Sequence, residues 1–322
     1  MNSFGTHFRV SIFGESHGPQ LGVVLDGVPA GLPLCEEDFL EDIARRAPGA
    51  PGTTPRKESD LPHLLSGVYE GHTTGAPLTI VFDNANTRSG DYSQFAAQPR
   101  PGHADYTANA KFDGFQDPRG GGHFSGRLTI GIVAAGVVAK KSAADARFCA
   151  KLLSIGGCTE PERWPELLAA VQQEGDSLGG IVECRVEGLR PGLGEPFWDS
   201  VEALVSHAVF SIPGVRGIEF GDGFAASAMK GSEHNDTFTA EGPAKNGAGG
   251  VNGGITNGAP LVFRVAFKPT STIRKEQLTY NFTSGRQESL CAKGRHDACF
   301  CLRCPVIVEA MAAIVTADLL LR

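Results

Sequence analysis

Apolar and polar positions alternate along residues 7–27, as HFRVSIFG, the polar stretch ESHGPQ and then LGVVLDG, closed by Pro29 and Gly31. Paired runs of period two around a Gly-bearing turn predict a β-hairpin. The spacing becomes helical in EEDFLEDIARR, Glu36 to Arg46, with acids in the first turn and Arg45 and Arg46 in the last. Those arginines are expected to face solvent as partners of the helix dipole. Ala47, Pro48 and Gly49 stop the helix, and a Pro/Gly loop to Glu58 carries Arg56. That loop is expected to be mobile until a ligand binds.

LSGVYEG and PLTIVFDN read as strands and lead through the polar RSGDYSQFAAQP. LTIGIVAAGVVAKK, after Arg127, is apolar on every side. It predicts an interior helix running to about Arg147. Further on, LLSIGG, GGIVECRVEGL, VRGIEFGDGF and LVFRVAFK read as strands, while EPERWPELLAAVQQEG and EPFWDSVEALVSHAVFS read as helices with Pro near their starts. PVIVEAMAAIVTADLLLR predicts a second apolar helix, packed centrally against the one after Arg127. Helices and strands do not alternate through short loops, which disfavours a doubly wound parallel sheet. An α+β layered protein with antiparallel sheets is expected, without internal repeats or a domain linker.

Composition narrows the class of function. The 322 residues are 41% hydrophobic and 20% charged, with a net charge of −7. Such a chain buries a substantial core and does not offer a general nucleic-acid or membrane surface, though a local basic pocket remains compatible. Met1 to Ser11 lacks signal-peptide character and no run of 18 apolar residues occurs, so a cytoplasmic location is expected. The eight cysteines read as reduced thiols. Cys291, Cys299, Cys301 and Cys304 have a spacing compatible with zinc, but ordinary thiols are the expectation and no metal is assigned.

Candidate chemistry concentrates in residues 100–127, RPGHADYTANAKFDGFQDPRGGGHFSGR. Arg100 to His103 are followed by Asp105 and Tyr106. Gly120 to Gly122 are opened by Arg119 and closed by His123, Phe124, Ser125, Gly126 and Arg127. Consecutive glycines allow backbone N–H groups to converge, and Ser125 as an N-cap would point a helix dipole into the same concavity. The alternative is a tight connection only. Neither the GK[ST] of a P-loop nor the dinucleotide fingerprint is present. Ser16 and His17 occupy the turn of the first hairpin, where the alternative is a surface histidine. A second glycine cluster, including Gly253, precedes a strand ending in Lys268, Pro269, Thr270, Ser271 and Thr272; the alternative there is a plain linker. Histidines among arginines suit an anionic substrate whose leaving group needs a proton, with phosphate the natural candidate.

The ordered motifs FRVSIFGESHG, LGVVLDGVPAGLPL, TTPR-x-E, LSGVYEG, RSGDYS, RPGHADYT, RGGG, IEFGDGF, KPTSTI and GRHD-x-C resemble chorismate synthase along essentially the whole chain. The resemblance implies a single domain over 1–322 with a β-α-β sandwich, central helices between antiparallel sheets, assembled as a homotetramer. It implies an anti-1,4-elimination of phosphate from 5-enolpyruvylshikimate 3-phosphate, dependent on reduced FMN supplied by an external NAD(P)H-dependent reductase. By matching position, His17, His103 and Asp297 resemble the catalytic residues. Ser16, Arg46, Arg100, Arg127 and Arg295 would hold substrate. His123, Phe124, Ser125, Gly253, Lys268, Pro269, Thr270, Ser271, Thr272 and Arg295 would hold FMN. The chain departs from the family's commoner pattern at His123, where RGGGRSSAR has an Arg, and at Ala47 and Ala298. Two rival readings are a non-catalytic phosphate-ligand binder and a zinc hydrolase using the C-terminal cysteines.

Overall fold

The computed structural model describes residues 2–54, 59–84, 94–240, 242–292 and 297–322. The first hairpin forms from β2 (Arg9–Gly14) and β3 (Gln20–Asp26), with β1 (Ser3–Phe4) on its outer edge; β4 (His63–Ser66) and β5 (Leu78–Asp83) complete an antiparallel sheet of order β1-β2-β3-β5-β4. Register places Leu21 opposite Phe82, Val23 opposite Ile80 and Leu25 opposite Leu78. All six side chains are buried on one face, as a period-two pattern requires. A second antiparallel sheet, of order β8-β9-β7-β6, is built from β6 (Arg147–Ile155), β7 (Gly180–Glu187), β8 (Val215–Phe220) and β9 (Leu261–Phe267). Its inner face pairs Val182 with Val265, Cys184 with Phe263 and Val186 with Leu261, again all buried.

Between the sheets lie the two helices whose sequences are apolar all round: α3 (Thr129–Ser142), against β3, and α6 (Pro305–Leu320), against β6 and β7. They also pack on each other. Gly136 permits the approach, because a Cβ there would lie 2.3 Å from the Cβ of Ala310. Each buried Leu, Ile, Val or Phe contributes about 1.5–3 kcal/mol of transfer free energy, so helices buried on all faces carry much of the core. The result is the expected α+β sandwich of sheet, two helices and sheet. The shorter helices are α1 (Leu40–Arg46), α2 (Asp105–Lys111), α4 (Trp164–Gln173) and α5 (Val201–Val209).

Two local expectations are corrected. α3 ends at Ser142 and not near Arg147, because Arg147 already opens a nine-residue strand. Of the two arginines closing α1, Arg46 does not face solvent, whereas Arg45 stays partly exposed. Arg46 is only 1% exposed, and Arg45 forms a two-pronged ion pair with the buried Glu309 of α6. Glu309 also receives Lys140 of α3 and the Ala150 backbone N–H of β6, so one carboxylate ties four elements together.

Candidate active site

The triple glycine organises the site. Gly120, Gly121 and Gly122 all have positive φ (62°, 84° and 54°), the left-handed region that glycine enters without Cβ strain. Their side-chain-free faces are used. A Cβ on Gly120 would lie 2.5 Å from the His17 ring and 2.7 Å from Ser16 Oγ, and one on Gly121 would lie 3.3 Å from the His103 ring. The loop therefore runs between the two histidines. It is anchored to the hairpin turn, since the Ser16 N–H donates to the Gly122 carbonyl at 3.0 Å and His123 Nδ1 lies 2.8 Å from the Gly14 carbonyl. The latter contact requires the proton on Nδ1, because a carbonyl can only accept.

His103 is oriented by Asp105, at the first residue of α2. Its Nδ1 lies 2.7 Å from Asp105 Oδ1. Arg100 grips the same carboxylate through Nε at 2.8 Å and Nη2 at 2.7 Å, and through its backbone N–H at 3.0 Å. Arg100 Nη2 also lies 3.1 Å from His103 Nδ1. A guanidinium is donor-only, so the Nδ1 proton goes to Asp105 and both donors converge on one oxygen. Nε2 is then the nitrogen that exchanges protons with a ligand. Burial pushes the Asp105 pKa up, but the hydrogen bonds from Arg100 and His103 outweigh it and hold the carboxyl well below its usual range. Burial, with Arg100 and Lys268 nearby, holds the His103 imidazole below its ordinary value against the opposing pull of Asp105.

Arg46 and Arg127 share another acid. Asp60, 5% exposed, places Oδ2 at 3.4 Å from Arg46 Nη1 and Oδ1 at 2.7 Å from Arg127 Nη1. Arg46 also donates to Thr129 Oγ1 and to the carbonyls of Gly126 and Arg127, and Arg127 Nε donates to Asn84 Oδ1. Ser125 does cap: its Oγ accepts the Arg127 N–H at 3.3 Å, in a short turn that leads into α3. Asp297 accepts the Thr54 N–H at 2.7 Å and Arg303 Nη1 at 3.3 Å, while Arg303 Nε holds the Arg46 carbonyl at 2.8 Å. At the end of β9, Lys268 Nζ donates to the Gly102 carbonyl at 2.6 Å and to Ser271 Oγ, and Thr272 Oγ1 accepts Arg100 Nη1 at 2.9 Å.

These groups surround one cavity of about 890 Å³. Ser16, Arg46, Arg100, His103, His123, Phe124, Ser125, Arg127, the segment Lys268 to Thr272, and Asp297 all line it. His17 is not in the lining; it sits behind Gly120 and is 7% exposed. Gly253 is not brought to the cavity either. It lies in a small hairpin, Val251–Asn252 with Ile255–Thr256, packed beside Glu195 and Ser200 through Gly254. Arg295, His296 and Arg56 lie outside the described residues.

Sequence reasoning singled out the histidines and most of the arginines but assigned no role to Asp60, Arg303 or Asp105. Asp105 was within reach, because an acid two residues after His103 at a helix start is a ready hydrogen-bond partner. Asp60 and Arg303 carry no local signal. Among the described residues no group of cysteines, histidines and acids has the arrangement of a metal site: Cys291 Sγ donates to the Arg274 carbonyl, and Cys299, Cys301 and Cys304 are buried. Burial pushes the Cys299 thiol up to about 12.

Fold and cavity together define a mixed α+β protein with a preformed pocket lined by histidines and arginines. Residues 8–321 match the family described as chorismate synthase. The chain is 60% identical to the chorismate synthase of Chitinophaga pinensis, an alignment covering 100% of this chain and 97% of the relative. It is 44% identical to that of Aeropyrum pernix, covering 99% and 93%. A solved structure described as a crystal structure of chorismate synthase superposes with a TM-score of 0.74 at 28% identity, covering 99% of this chain and 93% of the other. The chain belongs to the chorismate synthase family, and is a lyase of that kind.

Proposed function

We propose that the chain eliminates phosphate from 5-enolpyruvylshikimate 3-phosphate by an anti-1,4 route to give chorismate, the last step of the shikimate pathway, and that it requires reduced FMN. The observation that carries this reading is the His103–Asp105–Arg100 set on a cavity that also gathers Arg46 and Arg127. A departing phosphate needs a proton and cationic partners, and a substrate with carboxylates needs further cations. His103, with Nδ1 committed to Asp105, delivers the proton from Nε2. Arg46, Arg100 and Arg127 orient the substrate's anionic groups; their fixed partners Asp60 and Asp105 keep the guanidinium planes in place. Arg295 is assigned to the same set only by its place in the GRHD motif of the sequence.

The residues fit an FMN-sized cofactor. The cavity volume lies in the range typical of cofactor sites, which is about 300–1,000 Å³. One wall carries Lys268 with the hydroxyls of Ser271 and Thr272, and another carries Phe124, Ser125 and His123. When bound there, reduced flavin would supply an electron-rich ring beside the substrate. Asp297, on the cavity beside Thr54 and Arg303, would serve as the carboxylate base that accepts the proton leaving the substrate's C6. His17, buried against Gly120, would act on the flavin's ionisation state only through that loop. Gly253 stands outside this set.

The assembly is proposed to be a homotetramer acting in the cytoplasm, with an external NAD(P)H-dependent reductase keeping FMN reduced. Phe197 and Trp198 are 85% and 90% exposed in the single chain, which supports burial against further copies. Among the described residues no helix is long and apolar enough to cross a membrane. The deciding experiment is anaerobic incubation with substrate and dithionite-reduced FMN, followed by phosphate and chorismate detection. Phosphate and chorismate appearing together, and only with reduced FMN, is the expected result. Substrate binding without turnover would return the chain to the class of phosphate-ligand binders.

A further inference from the structure

Where β8 begins, its pairing with β9 slips: Val215 faces Phe267 while Gly217 faces Ala266, so Arg216 is the extra residue of a β-bulge. A bulge breaks the period of two and re-aims one side chain. Here it brings Arg216 to the lining of the cavity, on the strand next to Lys268, whose backbone N–H is bonded to the Gly214 carbonyl at 2.9 Å. Among the described residues no carboxylate pairs with Arg216 or with Lys268, although the cavity's other cations Arg46, Arg100, Arg127 and Arg303 each have one. Lys268 Nζ is instead fixed on the Gly102 carbonyl and Ser271 Oγ. In the same segment the Thr270 hydroxyl is buried without a hydrogen-bond partner.

We infer that Arg216 and Lys268 form a two-cation seat for the phosphate group of FMN, with Arg216 the partner that distinguishes the mononucleotide from riboflavin. This rests on the reading that FMN binds in this cavity. Two neighbouring cations without an acid between them repel; burial and Arg216 together hold Lys268 below its ordinary pKa. A dianion between them removes that repulsion and gains charge-assisted hydrogen bonds from both. The position also suits an elongated ligand. Ile12, Ile132, Met311 and Ile314 line the cavity's interior, whereas Arg216 is exposed, so an apolar body would lie inward with its charged end at the mouth. The substrate's anionic groups have their own cations, Arg46, Arg100 and Arg127, around His103.

The test compares FMN with riboflavin, by flavin fluorescence, on the wild-type protein, Arg216→Gln and Arg216→Lys. Expected is a rise of about tenfold in the FMN Kd for Arg216→Gln, the loss of one partly exposed charge-assisted contact, with riboflavin binding unchanged. Arg216→Lys should restore most of the FMN preference, and the dependence of FMN affinity on salt should flatten in Arg216→Gln. Equal FMN affinity in wild type and Arg216→Gln, or a parallel loss for both flavins, would overturn the assignment. Wild-type protein that binds neither flavin, or shows no preference for FMN, would instead remove the cofactor reading beneath it.

Discussion

At His103 a neighbouring carboxylate settles which nitrogen carries the exchangeable proton. Asp105 takes Nδ1–H, so the acid function rests on Nε2. A general acid must be protonated to act, so activity is lost as pH rises through its pKa. Burial, Arg100 and Lys268 already hold that pKa low, and Asp105 opposes them. Asp105→Asn is therefore expected to move the alkaline limb of kcat/KM to lower pH and to reduce kcat by about 10²-fold, with His103→Ala losing about 10²–10⁴-fold. A pH–rate series on both variants checks this; an unmoved limb in Asp105→Asn would mean that Asp105 serves Arg100 alone. Asp297 has a structural alternative, the ion pair with Arg303 and the bond from the Thr54 N–H. If it handles a proton, Asp297→Asn keeps FMN affinity and loses turnover by at least about tenfold. A variant that melts early, yet has normal specific activity in its folded fraction, would assign Asp297 to structure.

Among the elements, the glycine loop and the helix pair place the site. Gly120→Ala must put a Cβ at positive φ, costing about 1–2 kcal/mol, and 2.5 Å from the His17 ring, which has to move. Activity should fall far more than thermal stability, with kcat and Tm measured on the same preparation. Gly136→Ala separates two opposing effects. Helix propensity favours Ala by about 1 kcal/mol, but the new Cβ would stand 2.3 Å from Ala310 in the α3–α6 contact. Overpacking of this kind costs about 1–3 kcal/mol, so net destabilisation of up to about 2 kcal/mol is expected in chemical denaturation. A more stable variant would mean that the helices separate easily. The end of α3 at Ser142 was missed because the polar Lys140, Lys141 and Ser142 continue the helical period, whereas pairing of Arg147 to Ile155 with β7 claims the residues beyond.

Across the whole molecule, Glu309 ties the central layer to its surroundings. It lies on α6 and binds Arg45 of α1, Lys140 of α3 and the Ala150 N–H of β6. Burial pushes its pKa up, but Arg45, Lys140 and the Ala150 N–H outweigh it and leave it lowered. The sign follows: a depressed carboxyl contributes stability above its unfolded pKa, and that contribution is lost as pH falls through the folded value. Glu309→Gln should cost about 2–4 kcal/mol near neutral pH, since breaking a buried pair leaves a cation uncompensated and Arg45 is itself partly exposed. Denaturation at pH 7 and again near pH 4 tests this, with the wild-type advantage expected to shrink in acid.

The chain's pattern alone determined the two wholly apolar helices, the alternating strands and the α+β class, because period and all-round apolarity are local properties that the layers then satisfy. It also marked the residues able to do the chemistry, since His103, the triple glycine and the Lys268 segment are contiguous motifs. Tertiary structure decided what each would touch. Asp60 lies far along the chain from Arg127, yet it bridges Arg46 and Arg127 in the fold. Arg46, expected at the surface from its place at a helix end, is buried because Thr129 and the carbonyls of Gly126 and Arg127 converge on it. Burial and charge pairing arise from segments distant in sequence, so no window of neighbouring residues contains them.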